Sequence, residues 1–275
     1  MTDEVDYISG STRIFAILGD PIAQVRSPEM VTAEFRARAM DAILIPVHAP
    51  VAAFDTVLRG LMAMGNVDGL ILTIPFKAAV LPFLDHIGPQ AHIVGAVNAV
   101  ARLPDGRWSG EIFDGIGCVS GIKAAGHAFA GKRVHLIGAG GAGSAIGIAV
   151  AFERPALIRI FDPDVSRAAD LCARIASVDP RIVTEVASPD PRTADFILNA
   201  SPVGMLRDAR NPVGTDAFPP SLVVFDAIVK PEETPLLAAA RCAGCAAVGG
   251  RAMMRGQIAR IVDFFRDASN PLAQK

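Results

Sequence analysis

The chain is short of several residue types, and each shortage excludes a class of protein. Its 275 residues include only four cysteines, at 118, 172, 242 and 245, too few for a disulfide scaffold of this length. A reducing, cytoplasmic setting is therefore expected. Cys242-Ala-Gly-Cys245 has redox spacing, but it falls where an Ala-rich helix runs into a strand, so a redox role is not expected. The five histidines, at 48, 86, 92, 127 and 135, show no metal-ligand spacing, and no metal is expected. Charge of one sign is not in excess. The 26 Lys and Arg stand against 28 Asp and Glu, which leaves −2. Nothing in that balance argues for nucleic acid or an anionic membrane. The longest uncharged stretch, Val134 to Phe152, approaches spanning length, yet its glycine cluster and strand-like start make it a poor membrane helix. Met1-Thr2-Asp3-Glu4 is acidic and polar, unlike a signal peptide.

What is abundant is apolar material. Hydrophobic residues make up 51% and mean hydropathy is +0.40, ample for a core and too apolar for disorder. The length suits one large or two modest domains.

Strand and helix patterns alternate along the chain, which predicts an α/β fold with mostly parallel sheet. Arg13 to Leu18 reads as a buried strand stopped by Gly19-Asp20-Pro21. Ser27-Pro28-Glu29 opens a helix running to about Met40, with Ser27 as its cap. Strands are predicted over 43–47 and 69–73, helices over 51–64 and 77–84, and a hairpin around Pro104-Asp105-Gly106. From Asp114 the pattern restarts, with a helix over 116–129. Further strands are predicted over 133–137, 157–161, 181–186, 196–200, 222–226 and 246–248, with helices near 165–176 and 235–243. Gly249-Gly250 then breaks the chain before a closing helix, 252–265, expected to return to the first unit. Residues 1–113 with 250–275 would form one domain, and 114–249 a second, with a cleft between them.

The most informative segment is Val134-His135-Leu136-Ile137-Gly138-Ala139-Gly140-Gly141-Ala142-Gly143. A strand ends in a glycine turn and an Ala-rich helix begins. Glycines let the backbone approach a pyrophosphate, and free N–H groups of the helix start meet its charge. The second domain is thus a candidate Rossmann dinucleotide-binding domain. The next strand ends at Asp162, where an acid accepts from a ribose 2′-OH and repels a 2′-phosphate, favouring NAD. Arg167 close by keeps NADP open, and Asp162 could instead cap the following helix.

Lys77 ends an apolar strand stopped by Pro75, and strand C-termini of α/β sheets face the ligand crevice. A lysine so placed is suited to carrying a proton, or else sits at the surface. Asp114 lies where the first unit hands over to the second. It could pair with Lys77 across the cleft or cap the helix that follows. Asn98 could read a substrate hydroxyl or end a strand, and Gln257 could face the cleft or water.

Taken together these segments resemble the shikimate dehydrogenase family over nearly the whole chain. Gly19-Asp20-Pro21-Ile22 with Ser27-Pro28 resembles its substrate loop, and Thr73-Ile74-Pro75-Phe76-Lys77 its catalytic lysine motif. Gly95-Ala96-Val97-Asn98 and Asp114-Gly115-Ile116-Gly117 match its next signatures. Asn199-Ala200-Ser201-Pro202-Val203-Gly204-Met205 resembles the segment beside the nicotinamide, and Asp226 to Pro231, Thr234 to Leu237 and Gly250 to Gln257 complete the series.

The resemblance implies oxidation of a ring hydroxyl to a ketone with a nicotinamide cofactor. Lys77 would move the proton and Asp114 would orient it. Ser27, Thr73, Asn98 and Gln257 would hold the substrate. Gly138, Gly140, Gly141, Ala142, Gly143, Asp162, Asn199, Ser201, Gly204, Met205, Ala227 and Gly250 would hold the cofactor, expected to be NAD with NADP possible. Several family positions are altered. Val25 replaces a serine, Ile71 an asparagine, Ile112-Phe113 an Asn-Thr pair, Val229 a tyrosine, and Asp162-Pro163-Asp164 the Asn-Arg-Thr that meets NADP. The expectation is a diverged member acting on shikimate, quinate or a related small hydroxy-carboxylate, with Arg26 either holding the carboxylate or facing solvent. An ordinary NADP-linked shikimate dehydrogenase and a non-catalytic dinucleotide sensor are the alternatives; folate-type methylene dehydrogenases fit the lysine spacing less well. A monomer or a homodimer is compatible with the sequence.

Overall fold

A computed structural model describes residues 8–215 and 217–268. The acidic start, Met1 to Glu4, and the end of the closing segment beyond Ala268 lie outside the described residues. The elements, in order, are β1 (Arg13–Gly19), α1 (Ser27–Ala37), β2 (Ala42–His48), α2 (Phe54–Ala63), β3 (Val67–Leu72), β4 (His86–Ile87), α3 (Pro89–Val94), β5 (Ala99–Arg102), β6 (Trp108–Glu111) and α4 (Asp114–Ala124). There follow β7 (Arg133–Ile137), α5 (Gly141–Phe152), β8 (Leu157–Phe161), α6 (Val165–Val178), β9 (Val183–Val186), β10 (Phe196–Asn199), β11 (Val223–Asp226), α7 (Pro235–Cys242), β12 (Ala246–Gly249) and α8 (Gly250–Ala268).

Two six-stranded sheets result. The first has the order β2-β1-β3-β5-β6-β4; β1 runs parallel to both neighbours, whereas β5 is antiparallel to β3 and β6. The second has the order β12-β11-β10-β7-β8-β9 and is parallel throughout. That order is the doubly wound dinucleotide fold, whose switch point lies between β7 and β10. The central strands β7, β10 and β11 are almost wholly buried, as covering helices on both faces require.

α8 returns to the first sheet as expected. Its Phe265 ring packs 4.7 Å from Phe15 of β1, which in turn lies 4.7 Å from Phe35 of α1. α4 joins the two halves at very close range. A Cβ on Gly117 would sit 2.5 Å from the Met253 carbonyl oxygen of α8, and one on Gly115 only 2.1 Å from that of Ala145 in α5. Backbone-to-backbone contact therefore holds the junction.

Several local expectations are corrected. The predicted helix over 77–84 is a run of turns ending in a 3-10 turn at Leu81–Phe83, because Pro82 has no N–H to extend a helix. Ser27 does not cap α1. It is the first helical residue, and Arg26 occupies the cap position. Gly250 does not break the chain but starts α8. Asp162 does not cap α6; Asp164 does, accepting from the Ser166 and Arg167 N–H groups. The helix after Asp114 begins at that residue and stops at Ala124. The short β4 and α3 carry no sequence pattern long enough to predict them. Among the described residues no helix is long and apolar enough to cross a membrane.

Candidate active site

The C-terminal ends of β1 and β3 face those of β10 and β11 across a cavity of ≈ 180 Å³, roofed by α8. A larger, open groove of ≈ 610 Å³ lies behind the α4–α8 junction, but it holds none of the predicted catalytic side chains.

Lys77 and Asp114 meet in the smaller cavity. The Lys77 Nζ donates to Asp114 Oδ2 in a short contact, with the side chains 14% and 5% exposed. Asp114 is the first residue of α4, where the free N–H groups of the helix favour a carboxylate. The Lys77 carbonyl accepts from the Val97 N–H at 2.8 Å, which ties the lysine turn to the Gly95–Asn98 segment. Asn98 is buried and bridges two elements: its Oδ1 accepts from the Phe113 N–H at 2.9 Å, and its Nδ2 donates to Gln257 Oε1 of α8 at 3.2 Å. Ser27 and Thr73 line the same cavity, and their hydroxyls bond to nothing else among the described residues. Val25, Ile71, Val229, Met254 and Ile258 supply an apolar wall. Arg26 lies at the edge, with its Nε and one Nη both on Glu29 Oε1 at 2.6 Å.

The glycine loop forms the other side. Gly138 follows β7 with φ +97°, a conformation that favours glycine, and a Cβ on Gly143 would lie 1.9 Å from the Gly138 carbonyl oxygen. Gly140 is the cap residue of α5, with nothing within 4 Å of where a Cβ would sit. Gly141 and Ala142 begin the helix, whose first N–H groups have no helical partner. A Cβ on Gly141 would stand 3.2 Å from that of Lys77, so the loop abuts the catalytic candidate. This open, backbone-lined cradle with free N–H groups fits a dinucleotide pyrophosphate.

Asp162, at the tip of β8, accepts from the Ala139 N–H at 2.7 Å and from the Asp164 N–H at 2.9 Å. Each carboxylate oxygen keeps acceptor capacity beyond those bonds. Arg167 pairs with Asp164 at 3.2 Å. Ala142, Ser201, Met205, Ala227 and Gly250 line the cavity beside Lys77. Asn199 is placed differently from the expectation. It is fully buried, with Nδ2 donating to Asp226 Oδ1 and the Val203 carbonyl while Oδ1 accepts from the Ser201 N–H and hydroxyl. It shapes the loop that carries Ser201, Gly204 (φ +95°) and Met205, and offers no free group to a cofactor. Burial pushes the Asp226 carboxyl up to about 6 against donors from Ile228, Thr234 and Asn199.

Two polar residues of the cavity lining were given no role by the sequence. Lys230 is exposed at its edge, and Gln24 is buried within its lining. The one available signal for Gln24 was a polar side chain set between Ile22-Ala23 and Val25.

Known proteins share this two-sheet α/β architecture. Residues 17–100 match the family model described as the shikimate dehydrogenase substrate binding domain. An NADP(+) shikimate dehydrogenase of Symbiobacterium thermophilum is 33% identical over 263 residues, spanning 92% of this chain and 89% of the relative. The chain belongs to the shikimate dehydrogenase family, whose members are dehydrogenases acting on CH–OH groups. Among solved structures, the ligand-free 5-ketofructose reductase of a Gluconobacter strain is 30% identical with a TM-score of 0.78, covering 92% of both chains. The quinate dehydrogenase of Corynebacterium glutamicum, in complex with NAD, is 29% identical with a TM-score of 0.79, covering 92% of this chain and 93% of that one.

Proposed function

We propose that this protein catalyses the reversible, NAD(P)-dependent oxidation of one hydroxyl group of shikimate, quinate or a related hydroxy-carboxylate to a ketone. The observation that carries this is the largely shielded Lys77–Asp114 pair beside the glycine loop in a small cavity. Residues 1–113 with 250–275 would bind the substrate, and 114–249 the dinucleotide.

When bound, the dinucleotide supplies the hydride acceptor. Lys77 takes the hydroxyl proton in the oxidative direction and returns it in the reductive one. Asp114 orients the Lys77 nitrogen by accepting a hydrogen bond from it. Such a proton carrier contributes about 10²–10⁴ in rate when held within hydrogen-bond reach. Asn98 and Gln257, already bonded to each other, present their remaining donors to neighbouring substrate oxygens. Ser27 and Thr73 supply uncommitted hydroxyls. Arg26 keeps Nη1 uncommitted for a carboxylate, while Glu29 engages its other nitrogens. Gly138, Gly140, Gly141, Ala142 and Gly143 would receive the pyrophosphate. Ser201, Gly204, Met205, Ala227 and Gly250 would border the nicotinamide. Asp162 supports NAD, since its carboxylate suits a ribose hydroxyl and repels a 2′-phosphate. The quinate dehydrogenase bound to NAD supports the same choice, and the curated relatives named for NADP(+) support the other.

One observation favours a second reading, reduction of a neutral keto sugar such as the compound for which the Gluconobacter protein is named. Lys77 and Arg26 each pair with a carboxylate, Lys230 is exposed at the cavity edge, and the wall formed by Val25, Ile71 and Val229 is apolar.

Absorbance of reduced nicotinamide tests both. Shikimate and quinate are offered with NAD and with NADP, and 5-ketofructose with the reduced cofactors. Turnover of shikimate or quinate with NAD is the expected result. Turnover of 5-ketofructose alone would move the substrate to the keto-sugar class. No turnover of any pair by protein that still binds dinucleotide would overturn the catalytic reading in favour of a sensor.

A further inference from the structure

We infer that Arg174 is a positioning residue of the reaction, a strut from α6 that fixes the glycine loop against the turn carrying Lys77. The inference rests on the function proposed above. Arg174 is half-buried, and among the described residues no carboxylate pairs with it. Burial draws its pKa below the usual arginine value, and Asp170 on the same helix only partly offsets this. The guanidinium instead joins two oxygens from opposite halves of the molecule. One Nη donates to the carbonyl of Val94, the last residue of α3, in a short contact. The other donates to Ser144 Oγ of α5 at 3.1 Å, and that hydroxyl donates to the Ala139 carbonyl of the glycine loop at 3.2 Å. Nε turns back to the Asp170 carbonyl at 3.4 Å.

Both ends of α3 are met by side chains from outside the helix. At its start, Glu111 accepts from the Ala91 N–H at 2.6 Å and from the Gln90 N–H at 3.4 Å. At its end, the Val94 carbonyl has no N–H of its own helix to receive, and Arg174 supplies the donor. Glu111 belongs to the same half as α3 and would hold it wherever that half went. Arg174 ties the helix to α5 of the other half. The chain leaves α3 through Gly95 (φ +69°), and the next residues reach the site. A Cβ on Gly141 would lie 3.5 Å from that of Ala96, as it would 3.2 Å from that of Lys77. The Val97 N–H then holds the Lys77 carbonyl at 2.8 Å. Through Val94 and Val97, Arg174 thus sets how far the Lys77 turn stands from the loop that would receive the dinucleotide. Proton carrier and hydride acceptor belong to different halves, and a displacement of about 1 Å between reacting groups can cost about a hundredfold in rate. A shielded cation without a counter-ion is costly, and an apolar side chain would fill the space between helices without that cost. What the guanidinium alone provides is a rigid fork that reaches one oxygen on each half.

The test compares wild type, Arg174→Met and Arg174→Lys on the best substrate found in the assay above. Dinucleotide sites are counted by fluorescence titration and kcat is expressed per site, so that unfolded protein does not enter. Arg174→Met removes both bonds, whereas Arg174→Lys keeps one donor for the Val94 carbonyl. In Arg174→Met, kcat per site should fall about ten- to a hundredfold, with substrate KM and dinucleotide Kd each within about threefold of wild type. Arg174→Lys should be several-fold faster than Arg174→Met. Loss of activity that disappears once sites are counted overturns the proposal. So does a dinucleotide Kd that rises as far as kcat falls, since both results mark a residue that merely holds the fold or the cradle. An Arg174→Lys variant no faster than Arg174→Met also overturns it. If wild-type protein is active and Arg174→Met matches it in kcat per site, the assignment of Arg174 alone falls. If wild-type protein turns over nothing, the functional reading falls and takes this assignment with it.

Discussion

The two walls of the cleft are built on opposite plans. On the dinucleotide side the polar side chains are turned on one another. Ser201 bonds Asn199 at 2.7 Å, Asn199 bonds Asp226 at 3.1 Å, Thr234 bonds Asp226 at 2.7 Å, and Asp162 anchors the glycine turn. What faces the ligand there is mainly backbone. On the substrate side the Ser27 and Thr73 hydroxyls stand uncommitted, set in an apolar wall. A ligand shared by a whole family can be met by backbone geometry, which tolerates side-chain change. A ligand that varies must be met by side chains, and around Ser27 and Thr73 the wall is formed by Val25, Ile71 and Val229. Membership of the family therefore says more about the first wall than the second.

The sharpest way to break the comparison is at the pair between the walls. Lys77→Met should lower kcat by about 10²–10⁴ while dinucleotide affinity, measured by fluorescence titration, stays within about twofold. A parallel loss of dinucleotide affinity would show that the lysine belongs to the cofactor wall.

The next effect concerns charge within the parallel sheet. His135 is buried in β7 with its pKa pushed down to about 4 from 6.5, chiefly by burial and then by Arg159. Between those values the unfolded chain binds more protons, so this contribution to stability is lost as pH falls from 6.5 toward 4. Asp226 has the opposite sign. Raised from 3.8 to about 6, it holds a proton in the fold that the unfolded chain has released, so its contribution is lost as pH rises through that window. The two slopes nearly cancel in the wild-type protein. Urea midpoints at several pH values should separate them. His135→Gln should lose up to about 2–3 kcal/mol on going from pH 4 to 6, and Asp226→Asn should gain a similar amount. Flat profiles in both variants would show that the buried network on this side is not charged as described.

The smallest effect tests cofactor choice. Asp162→Ala should weaken NAD by about five- to tenfold and leave NADP unchanged or improved, as read by KM ratios. An equal loss for both cofactors would mean that Asp162 acts only by holding Ala139 in place.

The sequence displayed those features that depend on short-range pattern. The β1 run, the hairpin around Pro104 and the strand–glycine–helix passage at 134–152 each carry a local signature, and each forms. Lys77 and Asp114 meet, one of the two arrangements that their places at element ends allow. Local pattern misled where two weak signals competed. Pro82 stopped a helix that apolar residues suggested, and Ser27 looked like a cap while Arg26 took that position. Asn199 was expected to face the cofactor, but it turns inward to Asp226, a residue 27 positions away. Nothing within its own segment reports that partner.

The sequence by itself determined the class of fold, the order of the elements and the residue types available for proton transfer. Periodicity, glycine turns and proline stops act over a few residues, and a single chain displays them directly. Only the tertiary structure decided which polar groups are consumed by neighbours and which stay open. That depends on how β1, β3, β11 and α8 converge on one cavity, since a hydrogen bond is made or missed by ångströms between segments far apart in the chain. The Asn199 oxygen and the Gln24 oxygen look equally available in the sequence; packing satisfied the first and closed off the second without a donor.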